Sequence, residues 1–311
     1  MTAIIILNPY AGRWKALQRR VEVDEALKAA GVDYELVVTS GPGNALELAR
    51  KAALEGHSPV VAAGGDGTIN EVVNGLALAA EETGGDSLCP LGILPLGSAD
   101  DLVANLQLPM SLIEAAQIIA AGKVINIDLC KVQWYQDGEI RCRYFDNNSA
   151  IGLEPFITLI QQRIQRVRGT PRYLLATLLG VYEKPSWNME LEWEGGRYSG
   201  PISLVTVGNN PRTGGVFYVT PHANPKDGLL TFVYGFLPTR RQILKVLPRL
   251  MKPGAGNYVE HPAITEIHSS WLRVISQEPT PLHADGEMQS QAVNEIEFQV
   301  LPGKLPILTS Q

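Results

Sequence analysis

The sequence is poor in the features that mark secretion, membrane insertion or nucleic-acid binding. It has only three cysteines, Cys89, Cys130 and Cys142, and no CxxC spacing. An odd count without that spacing excludes a disulfide framework as an organising device and fits a reducing, cytoplasmic compartment. No basic stretch precedes the first apolar run, Ala3–Leu7, which is too short for a signal-peptide core. No apolar run approaches the ~20 residues of a membrane-spanning helix; residues 174–181 come nearest. Positive charge is not in surplus, because 26 Lys and Arg face 32 Asp and Glu for a net charge of −6. Nucleic-acid binding draws most of its affinity from neutralising phosphates, so nucleic acid is excluded as the main partner. The five histidines show neither zinc-ligand spacing nor a Ser-His-Asp set. The chain also lacks internal repeats and low-complexity linkers.

What is present is a globular composition, 45% hydrophobic and 19% charged over 311 residues, with room for two domains. Strand and helix patterns alternate through the first third. Strands are predicted at 3–7, 34–38, 59–63 and 91–94, and helices at 14–30, 45–54 and 69–80. That alternation predicts a parallel sheet covered by helices. Near residue 125 the texture changes. Strands are predicted at 124–135, 140–145, 187–194, 202–207, 229–234, 264–268, 272–276 and 294–300, with helices at 155–182 and 239–251. Asp137-Gly138 and Gly195-Gly196 read as hairpin turns. The expected organisation is an α/β domain over 1–125, a β-rich, mostly antiparallel domain over 126–300, and a segment, 301–311, returning to the first domain.

Residues 62–71 read AAGGDGTINE. Gly64, Gly65 and Gly67 follow an apolar run and precede a helical pattern, at the carboxyl end of a predicted strand, where open α/β sheets bind ligands. Two readings stand together. Thr68 and Glu71 have the spacing of a capping box, which alone would join strand to helix. Glycines and a helix start also suit phosphate. The segment has no GxxxxGK[ST] pattern, and Asn70 stands where GxGxxG has its third glycine.

Further motifs share this texture. Asn8-Pro9-Tyr10-Ala11-Gly12 opens the chain, and residues 91–101 read LGILPLGSADD. Residues 221–229 read PHANPKDGL, and Asp285-Gly286-Glu287 comes near the end. Taken in order, these stretches resemble the diacylglycerol kinase catalytic-domain family, in particular its soluble bacterial lipid kinases. GGDGT by itself is shared with NAD kinases; the ordered set is more specific. The resemblance implies a fold like that of NAD kinase and diacylglycerol kinase, an active site in the cleft between two domains, and ATP with Mg2+ as cofactors.

By position, the resemblance implies that Asn8, Thr39, Gly65, Asp66, Gly67, Thr68, Asn70, Glu71, Ser98 and Asp101 form the nucleotide site. It implies a magnesium–water network at Asp66, Asp101 and Asp128. It implies a second metal held by the Asp227 carboxylate and the carbonyls of Asn224 and Leu229. Glu287 would be the general base, with Asp285 beside it. A carboxylate is a weak base toward an alcohol, but loose phosphoryl transfer asks it only to orient the hydroxyl and accept the proton late. The second motif departs from the family pattern: Asp100 stands where an asparagine is usual, a charge that either repels nucleotide phosphates or strengthens Mg2+ binding. His283, close to Glu287 in sequence, reads as a strand residue or as a group tuning that base.

The function implied is ATP-dependent phosphorylation of a lipid hydroxyl, most simply diacylglycerol to phosphatidic acid, a step of phospholipid biosynthesis. The partners implied are ATP and a lipid met at the inner membrane face. Two basic segments could serve there: Arg163, Arg166, Arg168 and Arg172 beside the apolar run 174–179, and Arg240, Arg241, Lys245, Arg249 and Lys252. Solvated helix faces have the same appearance. NAD kinase and a non-catalytic nucleotide- or lipid-binding regulator are the alternatives, and the oligomeric state is open, a homodimer being one option.

Overall fold

The computed structural model describes residues 2–85, 87–164, 170–183 and 186–310, without the side chains of residues 13 and 170–174. Of the basic residues noted above, Arg166, Arg168 and the Arg172 side chain therefore lie outside the described residues. The chain divides into two units. One comprises Met1–Leu129, Tyr144–Asp146 and Leu301–Gln311; the other comprises Cys130–Arg143 and Asn147–Val300.

The first unit runs β1 (Ala3–Leu7), α1 (Ala11–Trp14), α2 (Arg20–Ala29), β2 (Tyr34–Val38), α3 (Asn44–Leu54), β3 (Val60–Gly64), α4 (Asp66–Thr83), β4 (Leu91–Pro95), α5 (Asp101–Asn105) and α6 (Leu112–Ala121). Its strands lie in the order β2-β1-β3-β4, all parallel. Every residue of β1, β3 and β4 is buried. The reason is coverage on both faces, which explains why these strands are uninterrupted apolar runs. Ile4, Ile6, Val60 and Ala62 pack with α3 and α4, while Ile5, Leu7, Val61 and Ala63 pack with α2 and α6.

The chain passes from β1 to β2 on one side, then returns to β3 on the other. β1 and β3 therefore flank a topological switch point, where α/β sheets open a crevice at their carboxyl ends.

The expected helix over 14–30 is broken. Trp14 takes a left-handed φ of 73° and ends α1, and α2 starts only at Arg20. The apolar spacing misled because Leu17 and Val21 face solvent, whereas Val23, Ala26 and Leu27 form the buried face.

β5 (Val124–Gln136) carries the chain from the first unit into the second. There follow β6 (Glu139–Phe145), β7 (Asn148–Gly152), α7 (Leu153–Arg163), α8 (Thr170–Glu183), β8 (Trp187–Trp193), β9 (Gly196–Ile202), β10 (Leu204–Gly208), β11 (Leu230–Gly235), α9 (Arg240–Val246), β12 (Ile264–Ser269), β13 (Trp271–Ala284) and β14 (Glu287–Leu308). The pairings β12-β11-β10-β7-β13-β14 are antiparallel, and β8 joins β13 with β9 as its hairpin partner. The last part of β14 belongs to the first unit, where Ile307 pairs in parallel with Leu91.

Three expectations are corrected. The predicted helix over 155–182 is two helices, α7 and α8. β13 and β14 extend well beyond 272–276 and 294–300, because register shifts near Thr280 and Leu282 let β13 continue past Pro279 and Pro281. β7 went unpredicted: its sequence, NSAIG, has low strand propensity, and burial with cross-strand pairing on both sides makes it a strand.

Candidate active site

In the first unit, the carboxyl ends of four neighbouring parallel strands collect the expected nucleotide residues. Thr39 follows β2, is buried, and donates its N–H to the Leu7 carbonyl at 2.9 Å. Asn8 follows β1; its Nδ2 donates to Thr68 Oγ1 at 2.9 Å, and its Oδ1 accepts the Tyr10 N–H at 3.0 Å. Gly64 ends β3 and Gly65 follows it, and Leu96 and Gly97 follow β4.

These last two loops touch. A Cβ added to Gly65 would lie 2.9 Å from the Gly97 Cα, and one added to Gly97 would lie 2.6 Å from the Gly65 Cα. No side chain fits there, so these two glycines are needed for close approach of backbone to backbone. The first turn of α4 follows directly; the Thr68 N–H donates to the Gly65 carbonyl at 2.8 Å, and the amides of Asp66 and Gly67 come before the first such bond. The arrangement is a glycine turn at the start of an eighteen-residue helix, a backbone geometry suited to an anion.

The capping box does not form. α4 starts at Asp66 with Gly65 as its N-cap, and no side chain caps it. Thr68 instead accepts from Asn8. Glu71 reaches the neighbouring helix: its two carboxylate oxygens accept the Gly43 N–H at 2.8 Å and the Ala45 N–H at 3.0 Å. It thus caps α3, whose own N-cap, Gly43, has no side chain to offer. Replacing Glu71 by alanine should cost about 1–2 kcal/mol of stability, read from denaturant melts, since two charge-assisted bonds at a helix N-terminus are lost. A variant as stable as the parent would show that these bonds carry no net weight.

Asn70 is fully buried; its Nδ2 donates to the Tyr144 carbonyl at 3.1 Å, and Asn74 accepts the Tyr144 N–H at 2.9 Å. Two asparagines one helical turn apart thereby hold residues 144–146 in the first unit. The Asn70 and Glu71 side chains are engaged in building the fold around the glycine turn. Ser98 is exposed on the loop after β4.

Three carboxylates crowd this loop pair. Asp66 Oδ1 accepts the Asp101 N–H at 2.6 Å and so caps α5. Asp100 has a left-handed φ of 45°, is 8% exposed, and its Oδ1 accepts the Gly97 N–H at 3.0 Å. Burial and the neighbouring charges of Asp66 and Asp101 push its carboxyl up to about 6, against the pull of the Gly97 hydrogen bond. Asp128 is also buried, and its Oδ1 accepts the Gly303 N–H at 2.7 Å, which ties it to the returning end of β14. Among the described residues no group of three His, Cys, Asp or Glu side chains is arranged to hold a metal. A nucleotide-borne Mg2+ needs only one or two protein carboxylates and completes its shell with water, so a cluster of three is not required to hold one.

The second unit carries the Asp285-Gly286-Glu287 motif. Asp285 and Gly286 have φ of 45° and 77°, and Ala284 pairs with Glu287. This is a two-residue hairpin turn with both central residues left-handed, which explains the Asp-Gly choice. Asp285 Oδ1 accepts the N–H groups of Asn147 and Asn148 at 3.1 and 2.9 Å, and its own N–H donates to the Asn148 carbonyl at 2.7 Å. Asp285 therefore clamps the turn to β7. Glu287, first residue of β14, has its carboxylate 3.3 Å from Arg143 Nη2. Arg143 was not singled out in the sequence; only the β5–β6 hairpin turn, Asp137-Gly138, hinted that β6 would double back. His283 does not engage Glu287. It is buried, and its Nε2 lies 3.1 Å from Glu154 Oε1.

The Asn224–Leu229 loop consists of two local turns. Asn224 Oδ1 accepts the Lys226 N–H at 3.2 Å, and Asp227 Oδ1 accepts the Leu229 N–H at 3.0 Å. One exposed carboxylate and nearby carbonyls form a ligand set that a hard cation would complete with water.

Residues 2–132 match the model of the Diacylglycerol kinase catalytic domain, and residues 148–309 match that of the YegS C-terminal NAD kinase beta sandwich-like domain. A protein of Chromohalobacter salexigens named "Probable lipid kinase YegS-like" is 31% identical over 86% of this chain and 82% of its own. The chain belongs to the diacylglycerol kinase family of lipid kinases. Its fold is that of the family, an α/β domain followed by a mostly antiparallel β-sandwich domain. A solved diacylglycerol kinase from Bacillus anthracis superposes with a TM-score of 0.72 over 99% of this chain and 97% of its own, at 20% identity. A solved NAD kinase from Archaeoglobus fulgidus, in complex with ATP, reaches a TM-score of only 0.52 at 16% identity over 100% and 94%. That likeness is one of fold alone.

Proposed function

We propose that this kinase transfers the γ-phosphate of ATP to a lipid hydroxyl, most simply that of diacylglycerol, giving phosphatidic acid and ADP. The observation that carries the reading is Glu287, presented by a hairpin that Asp285 clamps and Arg143 flanks, in a chain whose glycine loops have a backbone geometry suited to phosphate. In the reaction the lipid oxygen forms a bond to the γ-phosphorus, and the bond from that phosphorus to the bridging oxygen of ADP breaks. The hydroxyl proton passes to the Glu287 carboxylate as that bond forms. Gly65, Gly67 and Gly97 let backbone approach the phosphates, Thr39, Thr68 and Ser98 supply hydroxyls, and Asn8 holds Thr68 in place. Asp66, Asp101 and Asp128 would hold Mg2+ and its waters, and the ion would neutralise phosphate charge when bound. Asp227 with the Asn224 and Leu229 carbonyls would hold a second cation.

The lipid would be met by peripheral contact with a bilayer from the cytoplasmic side; no helix among the described residues is long and apolar enough to cross one. The test is incubation with radiolabelled ATP, Mg2+ and a total lipid extract, with NAD in a parallel reaction. Label in an organic-phase phosphomonoester is expected, with phosphatidic acid as the principal product. Label on NAD alone, or ATP binding without any transfer, would overturn the reading.

A further inference from the structure

We propose that the outward faces of α8 and α9 together form a docking surface for an anionic lipid bilayer. The inference rests on the lipid-kinase reading, which gives the chain a reason to meet a bilayer. α8 is apolar on two sides. Ala176 and Val181 face inward to the core shared with α7 and α9, and Gly180 sits tightly against Ile157 of α7. On the opposite side Leu175, Leu178, Leu179 and Tyr182 are exposed, at spacings i, i+3, i+4 and i+7. That spacing places four large apolar side chains in one stripe along the helix. A single exposed leucine needs no explanation; a continuous stripe does.

α9 lies beside it and is tied to it. Arg240 Nε donates to the Tyr182 carbonyl at 2.7 Å, and its guanidinium lies over the Tyr182 ring, 5.0 Å from the centroid. A capping box of Thr239 and Gln242 fixes the start of α9. Its inner face, Ile243 and Val246, enters the same core as α8. Its outer face exposes Arg241, Leu244 and Lys245, and the segment continues to exposed Met251 and Lys252. Residues 240–252 hold five basic side chains and no acidic one, in a chain of net charge −6; of the five, Arg249 pairs with Glu260 at 3.4 Å and the other four are exposed. Mixed cationic and apolar residues on one helix face are the pattern of an interfacial helix.

Charge decides between occupants. A second copy of this chain seated two-fold on the same surface would bring the exposed cations Arg240, Arg241, Lys245 and Lys252 against their own counterparts. An anionic bilayer instead offers negative headgroups to the cations and an acyl boundary to the leucines.

The test is co-sedimentation of the full chain, without ATP, with vesicles of phosphatidylglycerol and phosphatidylcholine, and with phosphatidylcholine alone. The parent should partition onto the anionic vesicles and be released by salt. A Leu178→Glu/Leu179→Glu variant and an Arg241→Glu/Lys245→Glu variant should each bind at least about tenfold more weakly. All these residues are exposed, so both variants should keep the parent's melting temperature. Both should also keep its transfer onto detergent-dispersed diacylglycerol. Variants that bind like the parent overturn the proposal, as does equal partition onto neutral vesicles. A parent dimer that the variants convert to monomers would assign the surface to a second copy. Vesicle binding intact in a chain that transfers no phosphate would overturn the kinase reading and leave the docking surface standing.

Discussion

Replacing Glu287 by glutamine is expected to lower phosphate transfer about a thousandfold or more, with ATP affinity and melting temperature nearly unchanged. The size follows from the task. General-base and alignment roles contribute roughly 10²–10⁴-fold, and an amide cannot take the hydroxyl proton. Stability should hold because the side chain is 45% exposed, and its pairing with Arg143 is a partly solvated contact of about 0–1 kcal/mol. Glutamine keeps an oxygen that can accept from Arg143, so the hairpin should stay in place. Asp285, whose oxygen takes two backbone N–H groups, secures that hairpin independently. Three measurements decide: transfer from radiolabelled ATP, an ATP titration by fluorescence, and a thermal melt. Retained turnover would remove Glu287 from the mechanism; lost ATP binding or a lowered melting temperature would make it a structural residue.

The sequence revealed most where chemistry constrains a short stretch, and least where a role depends on a distant partner. The parallel sheet was legible because strands buried on both faces must be continuous apolar runs, as β1 and β3 are. The Asp137-Gly138 hairpin was legible because a two-residue hairpin needs two left-handed residues. The capping box was misread because its Glu71 carboxylate crosses to α3, twenty-six residues back, and local spacing does not report that. That the Asn70 side chain also reaches the backbone of Tyr144 could not be read from its motif, because the partner lies seventy-four residues away. β7 escaped because its strand character comes from burial between two partners. Arg143 escaped because nothing near it in sequence announces Glu287. In each case the missing term was a tertiary contact.

Replacing Asp100 by asparagine is expected to stabilise the nucleotide- and metal-free protein at neutral pH by about 2–3 kcal/mol, and hardly at all near pH 4. Asparagine can adopt the left-handed conformation and keeps the Oδ1 that accepts from Gly97, so the loop geometry should survive. What disappears is the cost of a buried charge beside Asp66 and Asp101. The pH course follows from linkage. An unfolded aspartate titrates near ~3.9, and the folded group near about 6. Below the lower value both states are protonated and the cost is absent. Between the two, the unfolded chain has lost its proton while the folded one keeps it, so stability falls as pH rises. Above about 6 the folded group is ionised too, and the cost is complete. Denaturant melts of parent and variant between pH 4 and 8, in chelator, should therefore diverge across that window and run parallel above it. A difference constant with pH would mean that the Asp100 charge is not what separates them. An asparagine variant less stable at every pH would show that the carboxylate itself holds the Gly65 and Gly97 loops in contact.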